Sequence, residues 1–482
     1  MERRETRLMA QSMSPPEVCD DGPFKGYARL HWIEAAARAR PTERCHALSH
    51  HLNPINLRRA FQELDGSKAV GIDRVTKQKY AEQLDANIEK LHGALRGGGW
   101  RPKPSRQVLI PKPQGGTRPL AVGCLEDKLV QTLVARILEA LYEPIFSRQS
   151  FGFRRGKSAH QAVGRLYETI RDRSESCTIV EMDIEKFFDS MDHDWLIQKL
   201  EARIADPHFL RLIRRLLRNS ILTAEGDLKL NEIGTAQGSP VSPVLANICL
   251  HYLLDEWFQE HFGSKGRMVR YADDAVFAFA DAATADEFRR ALATRLAEAG
   301  LRLNLDKSGI VPFSRSTPKG TVSFLGFELY WGRDAARRKT LKIKTQPKRL
   351  NRSIQAFKEW IKLARNRMKL DKLWSLARAK LQGHFSYFGV TYNEAKLSHF
   401  YLACNGLLFR WLNRRSQKRS FTWDRYERRL RFSPLPLPPR GPELKVVTSE
   451  RSSTKQQPKS RMRKSRTSGS VRSAGRQRPA FT

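Results

Sequence analysis

The sequence predicts an α+β fold in several parts: a mixed region of helices and short strands, a helical region and a basic tail. Strand-like and helical runs alternate between residues 41 and 345, a long amphipathic helix follows, and the chain ends in a segment rich in Pro, Ser, Arg and Lys. A chain of 482 residues is too long for one hydrophobic core. We therefore divide it into a weakly structured N-terminal extension (1–40), the mixed region (41–345), the helical region (346–432) and a flexible tail (433–482).

The first part of the mixed region predicts helices and one hairpin. The run NPINLRRAFQELDG (53–66) is typical of a capped helix that ends at its glycine. The apolar runs QVLI (107–110) and PLAV (119–122) flank PKPQGGTR, whose Pro and Gly residues predict a turn. LVQTLVARILEALY (129–142) has helical spacing and stops just before Pro144.

The second part alternates strands with helices. TIVEMDI (178–184) is rich in β-branched residues, and MVRY and AVFAFA flank an acidic pair, so all three predict strands. SPVLANICLHYLLDEWF (242–258) predicts one buried helix with Pro243 at its start. ADEFRRALATRLAEAG predicts a helix closed by Gly300, and TVSFLGFELYW (321–331) predicts one strand with a glycine in its middle.

The helical region begins with apolar residues at intervals of four and three, which predict one face of a long helix. These residues are Leu350, Ile354, Phe357, Ile361, Ala364 and Met368. Further helices are expected to about residue 415. Residues 439–482 hold twelve basic residues against two acidic ones, a composition typical of disorder.

The charge balance predicts a polyanionic partner. The chain has 87 Lys and Arg against 50 Asp and Glu, a formal charge of +37. Its apolar stretches are too short and too polar to span a bilayer, and its first residues lack the apolar core of a signal peptide, so we expect a cytoplasmic protein without a membrane partner. The six cysteines are scattered without metal-ligand spacing, which argues against zinc.

The acidic pair in RYADDAVF points to metal chemistry. Two β-like runs flank Asp273 and Asp274, so the pair is expected at a hairpin turn, where neighbouring carboxylates repel unless a cation lies between them. Asp183 ends another predicted strand. If that strand lies beside the hairpin, the three carboxylates would hold two Mg²⁺ ions, since oxygen ligands suit magnesium. The alternatives are an ordinary acidic turn and a metal-dependent nuclease; we assign Asp189 to a helix start.

A series of ordered blocks resembles the reverse transcriptases encoded by bacterial group II introns, which also act as splicing maturases. The blocks run from about residue 60 to 335: GIDRVT, LIPKPQGGTRPLAV, SFGFRRGKSAHQAV, VEMDIEKFFDSMDHDWL, GTAQGSPVSPVLANICLHYLLDEW, VRYADDAVF, LRLNLDKSGI and FLGFELY. The segments LQGHFSYFG and RWLNRRSQKRSFTWDRY are similar to the family's thumb, or maturase, region. The tail lacks the Cys and His pattern of the HNH endonuclease that many members carry.

The resemblance implies a right-hand polymerase, with fingers and a palm containing an antiparallel sheet over residues 41–345, a helical thumb over 346–432, and a basic flexible tail. It implies site residues of three kinds. The catalytic and metal-binding residues would be Asp183, Asp273 and Asp274, with the Ile184 carbonyl as a further ligand. The residues that bind the incoming nucleotide would be Lys112, Arg118, Phe188, Gln237 and Gly238. Lys307 and Tyr271 would lie near the active site.

The resemblance also implies what the chain does and binds. The expected activity is RNA-directed DNA synthesis with two Mg²⁺ ions, and the expected partners are group II intron RNA, an RNA template with its DNA primer, deoxynucleotides and target DNA. A homodimer stays open. Two further readings also stay open: a splicing maturase without polymerase activity, and a reverse transcriptase of a defence or retron lineage.

Overall fold

The computed structural model of the chain describes residues 22, 24–111, 116–304, 308–316, 320–415 and 422–441. These belong to the first of two units, residues 1–449; the second, 450–482, lies outside the described residues. The α-helices are α1 (Leu30–Ala39), α2 (Pro54–Glu63), α3 (Lys77–Ala81), α4 (Leu84–Arg96), α5 (Leu125–Tyr142), α6 (Ala159–Asp172), α7 (Phe187–Ser190), α8 (His193–Glu201), α9 (Pro207–Leu217), α10 (Ser242–Leu250), α11 (Glu256–Phe262), α12 (Ala282–Glu298), α13 (Pro347–Ala364), α14 (Leu370–Phe388), α15 (Glu394–Leu412) and α16 (Trp423–Phe432). The strands are β1 (Ser105–Pro111), β2 (Thr117–Val122), β3 (Thr178–Met182), β4 (Ile221–Leu222), β5 (Leu228–Lys229), β6 (Gly266–Tyr271), β7 (Asp274–Phe279), β8 (Ile310–Pro312), β9 (Val322–Phe324), β10 (Phe327–Arg333) and β11 (Lys339–Thr345).

The centre of the fold is an antiparallel sheet in the order β6–β7–β3–β8. Its side chains alternate between two buried faces, as the two-residue period of a strand requires. Met182, Phe277 and Phe279 point into a core shared with α5 and α10–α12. Ile179 and Val276 point into a second core, shared with α6 and α13–α15. Burial on both faces fixes the strand register, because a slip of one residue would exchange the two sets of side chains.

A second sheet, in the order β2–β1–β4–β5, confirms the predicted hairpin. Strands β1 and β2 are antiparallel from the pair Arg106 and Val122 to the pair Pro111 and Thr117. Residues 112–115 of the predicted turn lie outside the described residues. The ends of both strands beside that turn are exposed, over residues 109–111 and 117–119.

Two sequence predictions are wrong in detail. The single helix expected over 242–258 contains a π-helical turn, His251–Asp255, between α10 and α11. The single strand expected over 321–331 is a hairpin, because Leu325 and Gly326 both adopt positive φ angles of 52° and 82°. Phe324 therefore pairs with Phe327 across a two-residue turn.

The N-terminal extension is more ordered than the sequence predicted. Phe24, Tyr27 and Leu30 are buried in the first core. The side chain of Asn56 accepts a hydrogen bond from the Ala28 amide at 2.6 Å, which ties this segment to α2. The prediction of weak structure is therefore wrong for residues 24–39; residues 1–21 lie outside the described residues.

The C-terminal region is helical from α13 onward, as predicted. Leu350, Phe357 and Ile361 are buried against the second core. The tail was expected to be flexible from residue 433, yet Ser433 accepts a hydrogen bond from Trp374 and Leu435 is buried, so the helical packing extends past α16. Residues 442–482 lie outside the described residues. Within the described part of the chain, no helix combines the length and apolarity needed to cross a membrane.

Candidate active site

The acidic pair lies at a tight turn between two strands of the central sheet, as predicted. Tyr271 pairs with Asp274, which leaves Ala272 and Asp273 as the two turn residues. Ala272 has a φ of 56°, a left-handed conformation that a turn this short requires. The turn places the Asp273 carboxylate at the end of the sheet instead of within it.

Asp183 comes to the same end of the sheet. Strand β3 pairs with β7 up to Met182 and Ala275, so Asp183 directly follows the last pair beside the start of β7. Ile184 then bridges Leu303 on the opposite side. The sequence predicted that these carboxylates would meet, and the pairing of β3 with β7 is the reason.

A cleft of about 480 Å³ opens at this point. Six of the predicted site residues line it: Arg118, Asp183, Ile184, Phe188, Gln237 and Asp273. Strand β2 contributes Arg118 to this lining, and Lys186 is a second cation there. The cleft therefore combines carboxylates with a guanidinium and an ammonium group.

The remaining predicted residues lie elsewhere. Asp274 is exposed and does not line the cleft. Tyr271 and Asp274 lie near Tyr387 of α14. Burial raises the pKa of the Tyr387 hydroxyl, and these two neighbours raise it further. Gly238 is next to β2, with the Ala121 oxygen 3.0 Å from where a Cβ would be. Lys112 and Lys307 lie outside the described residues.

The electrostatics of the cleft favour a bound cation. Burial raises the pKa of the Asp273 carboxyl, and the charge of Asp183 raises it further, while Arg118 and Arg270 act in the opposite direction. A divalent cation between the two carboxylates would offset both effects. Two carboxylates and the Ile184 carbonyl are oxygen ligands of the kind that Mg²⁺ prefers.

Three metal-binding side chains do not converge here. Among the described residues, no group of three or more His, Cys, Asp or Glu side chains is arranged to hold a metal ion. The donor set nevertheless fits Mg²⁺, which proteins often bind through one or two carboxylates with substrate phosphates completing its shell.

Asn304 holds Asp183 in place, a contact that sequence reasoning missed. Its side chain donates to Asp183 Oδ2 at 2.9 Å, and its backbone amide donates to the Asp183 carbonyl at 2.8 Å. The Asp183 amide in turn donates to the Ser308 hydroxyl at 3.1 Å. These bonds fix both the backbone and the carboxylate of Asp183. The block LRLNLDKSGI contained the signal, but nothing in it identified a partner 121 residues away.

The floor of the cleft consists of Phe188 and Gln237, which lie on α7 and on the loop that follows β5, and these two segments are bonded to each other. The Phe188 carbonyl accepts from the Thr235 amide at 2.6 Å, and the Gln237 side chain donates to Asp189 at 3.0 Å. Gly234 has a φ of 82°, and a Cβ there would come within 2.6 Å of the Phe188 oxygen. Phe188 and Gln237 are thus positioned as one unit. We assigned Asp189 only to a helix start, and its contact with Gln237 is an additional role.

A buried ion pair supports the hairpin that carries Asp273. Arg270 donates to both carboxylate oxygens of Asp255, at 2.7 and 2.6 Å, and both side chains are fully buried. The same guanidinium donates to the Asn247 side chain at 3.1 Å and to the Ala272 carbonyl at 3.0 Å. Asp255 is the last residue of the π-helical turn. Arg270 therefore connects this irregularity of the helix to the acidic turn that carries Asp273.

A glycine lets a neighbouring loop pack against the same turn. A Cβ on Gly152 would lie 2.2 Å from the Ala272 amide nitrogen, closer than any real contact. The Gly152 carbonyl accepts from Asn247 at 2.8 Å. The turn is therefore contacted by Arg270 and Gly152, and Asn247 is bonded to both of them. The central sheet, with the acidic turn at its end, and the β1–β2 hairpin fit the fold of a right-hand polymerase.

Comparison with known proteins identifies one domain of this chain. The family described as "Reverse transcriptase (RNA-dependent DNA polymerase)" matches residues 110–329, which include every cleft residue named above. This chain therefore contains a reverse transcriptase domain and is related to group II intron-encoded proteins.

Several curated proteins are similar over this region. An uncharacterized 91 kDa protein in a cob intron of Schizosaccharomyces pombe is 42% identical over 38% of this chain and 22% of its own length. The group II intron-encoded protein LtrA of Lactococcus lactis is 35% identical over 40% of this chain and 32% of its own length. Protein YkfC of Escherichia coli is 28% identical over 51% of this chain and 73% of its own length. The chain thus spans well under half the length of the first two relatives.

Among solved structures, telomerase from Candida albicans has a TM-score of 0.41 and 16% identity, covering 74% of this chain and 65% of that chain. At that TM-score the likeness is only general. The assignment of the reverse transcriptase domain rests on the sequence matches.

Removing the buried guanidinium tests the support of the turn. Arg270→Met would leave the Asp255 carboxylate buried without its cation, so we expect the free energy of unfolding to fall by about 3–5 kcal/mol. Urea unfolding followed by circular dichroism measures this. The double variant Arg270→Met with Asp255→Leu removes both charges and should recover most of the loss. A single variant within about 1 kcal/mol of the wild type would contradict the assignment.

Proposed function

We propose that this protein is an RNA-directed DNA polymerase that copies group II intron RNA and also binds that RNA to promote splicing and mobility. The observation that carries the proposal is the single cleft that is lined by Asp183, Asp273, Arg118, Phe188 and Gln237. A nuclease could use the same carboxylates, but it would have no need of a guanidinium and an aromatic ring in the same cleft.

The residues of the cleft divide the work of nucleotidyl transfer. Asp183, Asp273 and the Ile184 carbonyl would hold the cations, and Arg118 would bind the triphosphate as a planar fork. Two Mg²⁺ ions would supply activation of the primer hydroxyl and neutralisation of the departing pyrophosphate. Asn304 would keep Asp183 Oδ2 engaged, so that the carboxylate presents a fixed edge to the cleft. In this proposal Asp274 has a secondary part, since it does not line the cleft.

The floor of the cleft would select the nucleotide. Phe188 packs edge-to-face on Phe187, with ring centroids 5.5 Å apart, and on Phe153 at 6.4 Å, which restricts the movement of its ring. A ring held there would collide with a 2′-hydroxyl and favour deoxynucleotides. Gln237 would lie against the templating base pair, held by Asp189. We place Gly238 beside it and keep Lys112, Lys307 and Tyr271 as predicted contacts.

The helices after residue 346 would form the thumb and the intron-binding surface. Arg365 and Arg414 lie over the Trp411 ring at 4.6 and 5.2 Å, which supports a cationic surface and leaves less of that ring for stacking on bases. A formal charge of +37 supports binding to a large folded RNA. Target DNA and a homodimer remain predictions.

Primer extension tests the polymerase. On poly(rA) annealed to oligo(dT), with Mg²⁺ and dTTP, we expect extension by the wild type and a loss of about 100-fold or more for Asp273→Asn. Asp274→Asn should lose less, because that side chain does not line the cleft. Thermal unfolding of each variant serves as the control for folding. No extension by the folded wild type, or a larger loss for Asp274→Asn, would overturn the assignment.

A second experiment isolates the positioning residue. Asn304→Ala removes the side-chain bond to Asp183 while leaving the backbone bond, so we expect the Mg²⁺ concentration for half-maximal extension to rise by about 10- to 100-fold. Asn219→Ala is the matched control, because it removes a side-chain bond to Ser105 outside the cleft. The melting temperature should change equally in both variants. An unchanged Mg²⁺ requirement in Asn304→Ala would show that Asn304 is only structural.

A further inference from the structure

A second cavity, of about 360 Å³, lies away from the catalytic cleft. It is formed by a short 3₁₀ turn (Ser49–His51), by α4, by the residues that precede β1, and by α9. No residue that lines it also lines the catalytic cleft. The cavity lies near the start of β1, whereas Arg118 pairs with Ile110 near the end of that strand, about 17 Å further along.

The charged side chains that line this cavity are all arginines. Three arginines and three histidines line it: Arg96, Arg211, Arg215, His50, His92 and His208. Of the described residues that line it, none is acidic. The acidic neighbour is Asp206, whose two oxygens accept from the amides of Leu48, Ser49, His208 and Phe209. That carboxylate is therefore committed to capping α9 and is poorly placed to serve the arginines.

Arginines crowd one side of the cavity. Arg215 donates to the carbonyls of Gly98 and Trp100 at 2.9 and 3.1 Å, and Arg101 donates to the same two carbonyls at 3.0 Å each. Partial burial and the charges of Arg101 and Arg211 lower the pKa of Arg215. Like charges at this spacing repel each other, and a bound anion would relieve that repulsion.

Resting on the proposed function, we propose that this cavity is a phosphate-binding site for the backbone of an RNA strand, separate from the catalytic cleft. Arginine forks and histidine N–H groups are suited to phosphate oxygens. Trp100 is buried and so offers no surface for base stacking, which favours recognition of the backbone. An RNA bound here would stay attached to the fingers while the cleft holds the primer end.

Neutralising two exposed arginines tests the site. In Arg96→Gln with Arg211→Gln we expect the Kd for a fluorescein-labelled single-stranded RNA to rise about tenfold. The slope of log Kd against log salt should fall by about 1 to 2, as expected for two lost phosphate contacts. Both side chains are exposed, so the fold should persist; the melting temperature checks this. Primer extension on poly(rA) with oligo(dT) at saturating concentration should be unchanged.

The control variant is Arg289→Gln with Arg290→Gln, which removes the same charge from a place where Asp286 already pairs with both arginines. It should change the RNA Kd less than about twofold. Equal RNA affinities in the two double variants would overturn the proposal, and so would an equal loss of extension and binding in the cavity variant. Inorganic phosphate that raises the wild-type melting temperature, without any difference in RNA affinity, would assign the site to free phosphate and also overturn it. A wild type that binds RNA but extends no primer would refute only the proposed function.

Discussion

The buried pair of Arg270 and Asp255 is the interaction on which the active site depends. A carboxylate turn needs to project from the end of a sheet, yet it must not shift when a cation and a triphosphate bind. Arg270 meets both needs, because one guanidinium reaches Asp255, Asn247 and the Ala272 carbonyl. Asp255 lies at the end of the π-helical turn, which sets its position opposite Arg270. Stability alone would be served as well by apolar residues, so the pair is better explained by positioning.

The same logic extends around the cleft. Asp183 is held by Asn304 and Ser308, and Phe188 is held by the loop that contains Thr235. In each case a polar group bonded to the backbone fixes a residue that would face the substrate. The Asp273 carboxyl keeps a raised pKa because it is partly buried beside Asp183. In the protein alone, the Asp273 carboxylate is therefore destabilised by burial and by repulsion from Asp183, and a bound cation would offset both effects.

The sequence predicted the elements and the main cleft residues, but not the contacts that orient them. The β-branched strands, the acidic turn and the ordered blocks are local patterns, so Asp183, Asp273 and Arg118 could be placed in one cleft. The link between Arg270 and Asp255 joins a strand to a helix irregularity that no periodicity reveals. The Asn304 contact spans 121 residues, and the turn at Leu325 resembled a continuous strand because a single glycine is ambiguous. The extension was misjudged although Leu30, Ile33 and Ala37, the buried residues of α1, have helical spacing.

The most direct test is Mn²⁺ binding, followed by electron paramagnetic resonance, in the charge-free variant Arg270→Met with Asp255→Leu and in the wild type, both with template–primer bound. The account predicts that the variant stays folded but binds Mn²⁺ at least about tenfold more weakly, because the turn that carries Asp273 has lost its anchor. Unchanged Mn²⁺ affinity in the folded variant would show that the turn holds its position without the buried pair, and it would contradict the account.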